Sequence, residues 1–249
     1  MKSIGAIPAR WESSRFPGKI LAEICGKPLI CWVIEAVARS KKLDSFLVAT
    51  DDARIFEVVE GVGAKAVMTR GDHSSGTDRI AEAVQGSDAD IVVNIQGDEA
   101  LIEPELIDRL VCVMENGEQA KGNWLDMASA ACPIANKEDL DDPSIVKVVC
   151  NRNNEALYFS RSVIPHVREA VDGGRVKHLR HIGIYAYRKS FLSRFVSEEP
   201  CMIEEAERLE QLRALNMGAK IGMIETDSLG IGIDTPDDVP YVESLLKAG

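Results

Sequence analysis

A short apolar strand runs straight into a cation-rich loop in the segment Ile4-Gly-Ala-Ile-Pro-Ala-Arg-Trp-Glu-Ser-Ser-Arg-Phe-Pro-Gly-Lys19. In open α/β sheets, ligands bind at the carboxyl ends of the strands, and this loop begins at such an end. Its three cationic side chains and its backbone amides can surround a polyphosphate. The segment therefore predicts an α/β fold with an anion site at the first strand, and a solvated charged loop is the alternative.

The rest of the first half repeats the order of apolar strand and amphipathic helix, which is typical of a mostly parallel sheet. Further strands are predicted at Phe46–Ala49, Ala66–Met68 and Ile91–Ile95. Helices are predicted at Pro28–Ser40, Asp52–Val62, Thr77–Gln85 and Pro104–Glu115.

After about residue 116 the pattern changes to short apolar runs that polar connections separate, which predicts mixed or antiparallel strands. These runs are Met127–Cys132, Val146–Val149, Ala156–Phe159 and Gly183–Tyr187. The later elements are a loop at 166–180 around Gly173 and Gly174, one helix at Ile203–Met217 and a last helix that begins at Thr235-Pro236. We expect a single domain, with a core at about 1–125 and 200–249 and a smaller subdomain inserted at about 126–199.

Composition excludes several classes of protein. The 249 residues include 29 Lys plus Arg against 40 Asp plus Glu, a net charge of −11, so no overall field attracts nucleic acid or anionic lipid. No apolar run approaches the ~20 residues that span a bilayer, and the amino terminus lacks the pattern of a signal peptide. We therefore expect a cytoplasmic protein that binds neither nucleic acid nor membrane.

Two common nucleotide motifs are absent. Gly18-Lys19 is followed by Ile20, where a P-loop has Ser or Thr, which argues against a kinase or ATPase of that type. Gly61-Val-Gly63 is followed by Ala66 at the third glycine position, so the dinucleotide fingerprint is missing as well.

Two acidic segments follow apolar strands. Gln96-Gly-Asp-Glu99 comes after Ile91–Ile95, and its glycine allows another group to approach closely. The second segment is Asp234-Thr-Pro-Asp-Asp238. Asp98 and Asp234 are predicted to share a Mg²⁺ ion with a nucleotide phosphate, because Mg²⁺ takes few carboxylates and completes its shell with water and substrate oxygens. Each aspartate alone is equally a turn or cap residue.

Other polar residues are ambiguous when taken singly. Ser74-Ser-Gly-Thr-Asp-Arg79 is predicted to open a helix, where its donors could meet a base or a phosphate or simply cap the helix. His181 precedes an apolar strand, and Glu210 and Gln211 interrupt a stripe of leucines. A structural role is the default interpretation for each of these three.

Taken in chain order, a set of segments resembles the 3-deoxy-manno-octulosonate (Kdo) cytidylyltransferases over nearly the whole chain. They are Ile7-Pro-Ala-Arg10, Ser14-Arg-Phe-Pro-Gly-Lys19, Val48-Ala-Thr-Asp51, Met68-Thr69, Ser75-Gly-Thr-Asp-Arg79, Asn94-Ile-Gln-Gly-Asp-Glu99, Val146-Lys-Val-Val149, Ala156-Leu-Tyr-Phe-Ser-Arg161, His181-Ile-Gly-Ile-Tyr185, Leu209-Glu-Gln-Leu-Arg213 and Asp234-Thr-Pro-Asp237. Sialic acid cytidylyltransferases share the front loop but are not expected to carry the His181 and Leu209 segments.

The resemblance implies a nucleotide-diphospho-sugar transferase fold, with a mostly parallel central sheet and a smaller inserted dimerisation subdomain. It implies a Mg²⁺-dependent homodimer that converts CTP and Kdo, a 2-keto-3-deoxy sugar acid, to CMP-Kdo and pyrophosphate for lipopolysaccharide synthesis. The implied CTP-binding residues are Arg10, Ser13, Arg15, Lys19, Ser75 and Arg79. The implied sugar-binding residues are Gln96, Arg161, His181, Tyr185, Glu210 and Gln211. The implied catalytic residues are Arg10, Arg15, Lys19, Asp98 and Asp234, of which the two aspartates hold the metal.

The sequence departs from the expected family pattern at Ala100, Ala186 and His166. We interpret these changes as lying on the sugar side, so the 8-amino analogue of Kdo is an alternative substrate. Two further hypotheses are a protein that binds CTP without turnover and a uridylyl- or guanylyltransferase. The last one leaves the His181 and Leu209 segments unexplained.

Overall fold

The computed structural model describes residues 1–13, 15–119, 124–169 and 176–248, so Ser14, Gly173 and Gly174 lie outside the described residues. The strands are β1 (Ser3–Ala9), β2 (Glu23–Ile24), β3 (Lys27–Pro28), β4 (Ser45–Thr50), β5 (Ala66–Met68), β6 (Ile91–Asn94), β7 (Met127–Pro133), β8 (Lys147–Cys150), β9 (Ala156–Ser160), β10 (Leu179–Arg188) and β11 (Ile221–Glu225). The α-helices are α1 (Leu29–Val37), α2 (Ala53–Gly61), α3 (Gly76–Ala83), α4 (Pro104–Gln119), α5 (Lys137–Asp141), α6 (Lys189–Phe195), α7 (Met202–Glu207), α8 (Gln211–Asn216) and α9 (Val239–Ala248). Short 3-10 turns cover Lys19–Leu21 and Pro236–Asp238.

The first compact unit consists of Met1–Cys112 and Gly230–Gly249. Its main sheet has the order β6-β1-β4-β5, and all three pairings are parallel. Ile7 at the middle of β1 and Val93 in β6 are fully buried, as expected for strands that helices cover on both faces. The predicted parallel α/β architecture of the first half is confirmed.

Side-chain caps explain where helices in this unit begin. The Asp52 carboxylate accepts a hydrogen bond from the Arg54 backbone N–H (2.9 Å) at the start of α2. Thr235 and Asp238 form a capping box on the 3-10 turn that leads into α9. The last helix was predicted to start here, and the structure differs only in making its first turn 3-10.

The second compact unit is Val113–Leu229. In its sheet β7 pairs antiparallel with β10 and parallel with β11, while β8 pairs antiparallel with both β10 and β9. The predicted mixed pairing is therefore confirmed. The register between β7 and β10 shifts between Ile182 and Tyr185, which is a β-bulge. β10 begins at Leu179, so the predicted loop at 166–180 is two residues too long at its end.

The single helix predicted at 203–217 is wrong: the structure has two helices, α7 and α8. Between them Arg208 adopts the left-handed conformation with φ 53°, which interrupts the helical hydrogen bonds. Arg161 stabilises this break, because its Nε donates to the Glu207 carbonyl (2.7 Å) and one terminal nitrogen donates to the Arg208 carbonyl (3.4 Å). The Ser160 hydroxyl also donates to the Glu207 carboxylate (2.7 Å). Tertiary hydrogen bonds thus override the helical sequence pattern.

A buried lysine fixes the neighbouring loops of this unit. Lys147 is fully buried, and its ammonium donates to the carbonyls of Asp142 (2.8 Å), Ile145 (2.8 Å) and Arg161 (2.9 Å). Burial lowers the pKa of Lys147 below its ordinary value. Three acceptors satisfy the three N–H donors, so the ammonium group links two segments that are distant in sequence.

No helix among the described residues combines the length and the apolar character that crossing a bilayer requires.

Candidate active site

The cation-rich loop after β1 closes on a tryptophan. The Gly18 N–H donates to the Trp11 carbonyl (3.0 Å), and Gly18 has φ 71°. A Cβ at this position would lie 2.8 Å from the Trp11 ring, so only glycine fits. The Trp11 ring also packs against Arg54 of α2, whose guanidinium carbon lies 3.3 Å from the ring centroid. Packing on both the loop and α2 thus holds Trp11 in place.

A cavity of about 290 Å³ opens beside this loop in the first unit. Nine of the residues predicted from the sequence line it, namely Arg10, Ser13, Arg15, Lys19, Ser75, Arg79, Gln96, Asp98 and Asp234. They come from the β1 loop, from the start of α3, from the turn after β6 and from the segment before α9. The fold therefore brings together groups from four separate parts of the sequence.

Cations and carboxylates neutralise each other on one wall of the cavity. The Lys19 ammonium forms an ion pair with Asp98, lies 3.4 Å from Asp234 Oδ1 and donates to the Ile233 carbonyl (3.0 Å). A guanidinium nitrogen of Arg15 lies 2.9 Å from the same Asp234 oxygen. The Lys19 side chain is only 13% exposed, so its pairing with Asp98 is screened less by water than the exposed Arg15 contact.

The turn that carries Asp98 depends on a glycine. A Cβ at Gly97 would lie 2.8 Å from the Pro8 carbonyl at the end of β1. This is the close approach that the sequence predicted for Gly97. The Ile233 N–H also donates to the Asp98 carbonyl (3.0 Å), which holds the segment before Asp234 against the same turn.

The two aspartates fit a hard divalent cation. Both carboxylates contact one atom, the Lys19 Nζ, so they already share a single positive charge. Mg²⁺ accepts two carboxylate oxygens as ligands when water and phosphate oxygens fill its remaining positions. No cluster of three or more His, Cys, Asp or Glu side chains suited to a metal occurs in the part of the chain that the structure describes. Any cation here would therefore take much of its shell from the substrate.

The cavity residues that belong to α3 and its cap are held by hydrogen bonds within the protein. Ser75 and Asp78 form a capping box at the start of α3, so the structure shows the helix cap that was one of the two interpretations of this segment. Arg79 is 3% exposed; its guanidinium donates to the Thr69 hydroxyl (2.6 Å) and to Asp51 Oδ2 (2.7 Å). Its charge is thus already paired inside the protein. Arg79 forms a fixed part of the wall, while Arg10 has no ion-pair or hydrogen-bond partner for its guanidinium among the described residues.

His73 also lines this cavity, and the sequence reasoning missed it. Its Nε2 lies 2.5 Å from Glu82 Oε2, and the same carboxylate accepts a hydrogen bond from Arg70 Nε (3.1 Å). Partial burial favours the neutral acid, but hydrogen bonds from Arg70 and His73 lower the pKa of Glu82 below its ordinary value. The only sequence signal was the position of His73, two residues before the capping serine.

A second cavity, of about 360 Å³, lies within the second unit. Four residues predicted from the sequence line it, namely His181, Tyr185, Glu210 and Gln211. His181 and Tyr185 come from β10, and the other two follow the break between α7 and α8. Burial lowers the pKa of His181 to about 3, so this imidazole is neutral near pH 7.

Two arginines supply positive charge to the second cavity. Arg180 and Arg208 both line it, and neither guanidinium has a hydrogen-bond or ion-pair partner within the described ranges. Arg161, which the resemblance places at the sugar, has a different environment. Its guanidinium donates to the carbonyls of Glu207, Arg208 and Pro143, and Arg161 does not line this cavity. Gln96 lines the first cavity instead.

Comparison with known proteins decides the family. The sequence profile described as "Cytidylyltransferase" matches residues 4–221. A 3-deoxy-manno-octulosonate cytidylyltransferase from Syntrophotalea carbinolica is 45% identical over 99% of this chain and 99% of its own length. One from Bdellovibrio bacteriovorus is 47% identical, over 100% of this chain and 99% of that protein. The chain belongs to the 3-deoxy-manno-octulosonate cytidylyltransferase family.

Solved structures agree with this family assignment. A CMP:2-keto-3-deoxy-manno-octonic acid synthetase complexed with CTP superposes with a TM-score of 0.92 at 42% identity, covering 100% of this chain and 99% of the other. A cytidylyltransferase from Leptospira borgpetersenii gives a TM-score of 0.64 at 17% identity, covering 100% and 88%, and supports the fold alone. The predicted nucleotide-diphospho-sugar transferase fold is therefore confirmed for this member of the Kdo cytidylyltransferase family.

The three departures from the family pattern are not among the residues that line the two cavities of this cytidylyltransferase. Ala100 packs in a buried cluster with Ile233 and Val242. Ala186 is fully buried opposite Ala128 of β7, and His166 is exposed. None of the three lines a cavity described above. They therefore give no structural support to an altered sugar.

Proposed function

We propose that this chain transfers the cytidylyl group of CTP to the anomeric hydroxyl of Kdo. An oxygen–phosphorus bond forms at the α-phosphate, the bond between the α- and β-phosphates breaks, and pyrophosphate and the hydroxyl proton leave. The observation that supports this best is the first cavity, where basic side chains and two aspartates meet in a member of this family. Such a transfer depends mainly on charge neutralisation and in-line geometry, which the basic side chains and the two aspartates of this cavity can supply.

In the nucleotide site, Arg10, Ser13, Arg15 and Lys19 would hold the triphosphate, with Ser75 and Arg79 beside the cytosine. Arg10 is available for a phosphate because its guanidinium has no partner among the described residues. Lys19 now neutralises two carboxylates and would donate to phosphate oxygens in the complex. Asp98 and Asp234 would hold Mg²⁺, which when bound would stabilise the charge that develops on the phosphates.

For the sugar site we propose the cavity of the second unit. His181, Tyr185, Glu210 and Gln211 would contact the hydroxyl groups of Kdo. Its carboxylate needs a cation with a planar pair of donors, and Arg180 and Arg208 are placed to provide one. We therefore propose these two arginines, in place of Arg161, as the carboxylate ligands. Arg161 would act on the fold of the 207–208 turn, and a sugar role for Gln96 stays a prediction.

The arginine assignment has a direct test with a matched control. Replacing Arg180 by methionine should raise the KM for Kdo about tenfold or more and leave the KM for CTP within twofold, because a charged hydrogen bond is lost only at the sugar. Arg194 lies on α6 outside this cavity, so Arg194→Met is the control. A KM for Kdo that stays at the wild-type value in Arg180→Met would contradict the assignment.

The reaction itself is tested by pyrophosphate release in a substrate panel. CTP, UTP and GTP are each combined with Kdo, its 8-amino analogue and sialic acid, in the presence of Mg²⁺. We expect the highest kcat/KM for CTP with Kdo. A preference for the 8-amino analogue would revise the sugar, and binding of CTP by calorimetry without release from any sugar would favour the protein without turnover.

We also propose a cytoplasmic homodimer that associates through the second unit. Exposed apolar side chains of that unit, Leu157 (59% exposed) and Met202 (81% exposed), are of the kind that a partner covers. We propose the cytoplasmic location because the proposed reaction uses CTP. Light scattering on the purified chain, and fractionation of cells, test the two statements separately.

A further inference from the structure

A buried serine connects the β-bulge of β10 to the second cavity. Ser129 of β7 is fully buried, and its Oγ lies 2.8 Å from the Ile184 carbonyl, 3.2 Å from the Ile182 carbonyl and 2.9 Å from His181 Nε2. The two carbonyls belong to the bulge itself. Carbonyl oxygens only accept, so the single hydroxyl proton of Ser129 is directed toward them.

This arrangement determines which imidazole nitrogen of His181 carries the proton. Since the Ser129 proton is used by a carbonyl, its oxygen must accept from His181, and the proton of the neutral ring therefore lies on Nε2. The ring Nδ1 then carries a lone pair. Gln211 Nε2 lies 3.5 Å from this Nδ1 and is the donor in that contact. Phe159 packs edge-on against the imidazole, with ring centroids 4.9 Å apart, which limits other ring orientations.

The chain of contacts ends at Gln211, which lines the cavity. If the carboxamide were turned over, its Oε1 would face the Nδ1 lone pair, and two acceptors would repel each other. The amide nitrogen is therefore held toward His181, which leaves Oε1 and the second N–H for other groups. Gln211 is 5% exposed, so water competes little for these atoms.

We propose that Ser129 is a positioning residue, which sets the tautomer of His181 and through it the orientation of the Gln211 carboxamide that a sugar hydroxyl meets. Ser129 lies behind His181 and lines neither cavity. The consequence for the sugar rests on the proposed function. The tautomer itself does not, because it is a property of the protein without substrates.

The first test is spectroscopic. Two-bond ¹H–¹⁵N correlation spectra of the full chain labelled at its four histidines report which nitrogen carries the proton, and the His181→Gln variant assigns the signal. We expect the Nε2–H tautomer at pH 7 in wild type. In Ser129→Ala the Nε2–H signature should weaken, and the KM for Kdo should rise about three- to tenfold with the KM for CTP unchanged, since one neutral hydrogen bond is lost. Ser129→Thr keeps the hydroxyl and should restore both readouts.

A second variant covers the case in which Ser129→Ala does not fold. Gln211→Glu leaves the bulge untouched and replaces the donor at Nδ1 by an acceptor, so the His181 signal should move toward an Nδ1-protonated form. An Nδ1–H or charged His181 in wild type would overturn the proposal. A folded Ser129→Ala that keeps both the tautomer and the KM for Kdo would also overturn it. Absence of Kdo turnover in wild type, with the tautomer as expected, would instead refute the proposed function.

Discussion

Acid should destabilise this protein through His181, by an amount that the structure allows to be worked out. Burial holds the pKa of His181 at about 3 in the folded chain, whereas an unfolded histidine has a pKa of about 6.5. Between these values the unfolded chain binds a proton that the folded chain does not. The free energy of unfolding therefore decreases as the pH falls through this window. At pH 5 the difference is about 1.5 units at about 1.4 kcal/mol each, or about 2 kcal/mol.

The assay compares wild type with His181→Gln, which keeps a polar side chain but cannot titrate. Urea unfolding curves of both proteins at pH 7 and at pH 5, without nucleotide, give four free energies of unfolding. The loss between the two pH values should be larger in wild type by about 2 kcal/mol. The other three histidines and all carboxylates are common to both proteins, so they cancel in this difference. Equal losses in the two proteins would refute the assignment of His181 as a buried neutral group.

Three further predictions concern the two units. Asp98→Asn should lower kcat on the order of 100-fold while changing the Kd for CTP much less, because the metal acts most on charge that develops at the α-phosphate. Stopped-flow turnover measures kcat and calorimetry measures the Kd, and equal losses in both would contradict this role. Arg54→Ala should raise the KM for CTP about two- to fivefold, because the stack on Trp11 that orders the loop contributes about 0.5–1 kcal/mol. An unchanged KM would show that the stack does not position the loop. Leu157→Glu should convert a dimer to a monomer in light scattering, and a dimer of wild-type stability would place the interface elsewhere.

Much of the fold could be predicted from hydrophobic periodicity together with local capping residues. The parallel strands β1, β4, β5 and β6 are short apolar runs that polar turns separate, and Asp52 marks the start of α2 by its capping chemistry. The break at Arg208 could not be predicted, since its sequence continues a leucine stripe. Hydrogen bonds from Arg161, 47 positions earlier, stabilise the left-handed conformation there.

The candidate site also has some features that the sequence predicts and others that only the folded chain reveals. Charge type and glycine placement were enough to predict the cation loop and Asp98, because those features depend on neighbours in sequence. The roles proposed for Arg180 and Arg161 depend on which arginine is already bonded to carbonyls, and this is a property of the folded chain. His73 was missed for a related reason, because its partner Glu82 lies on a helix nine residues later.

We propose that the first cavity directs attack of Kdo on the α-phosphate of CTP. Phosphorus NMR of one reaction with purified chain, CTP, Mg²⁺ and Kdo tests it most directly. We predict that the three CTP resonances are replaced by one phosphodiester signal of a sugar-linked CMP and by pyrophosphate in equal amounts. CTP resonances that persist unchanged in the presence of Kdo would contradict this proposal. So would the appearance of free CMP without a sugar-linked product.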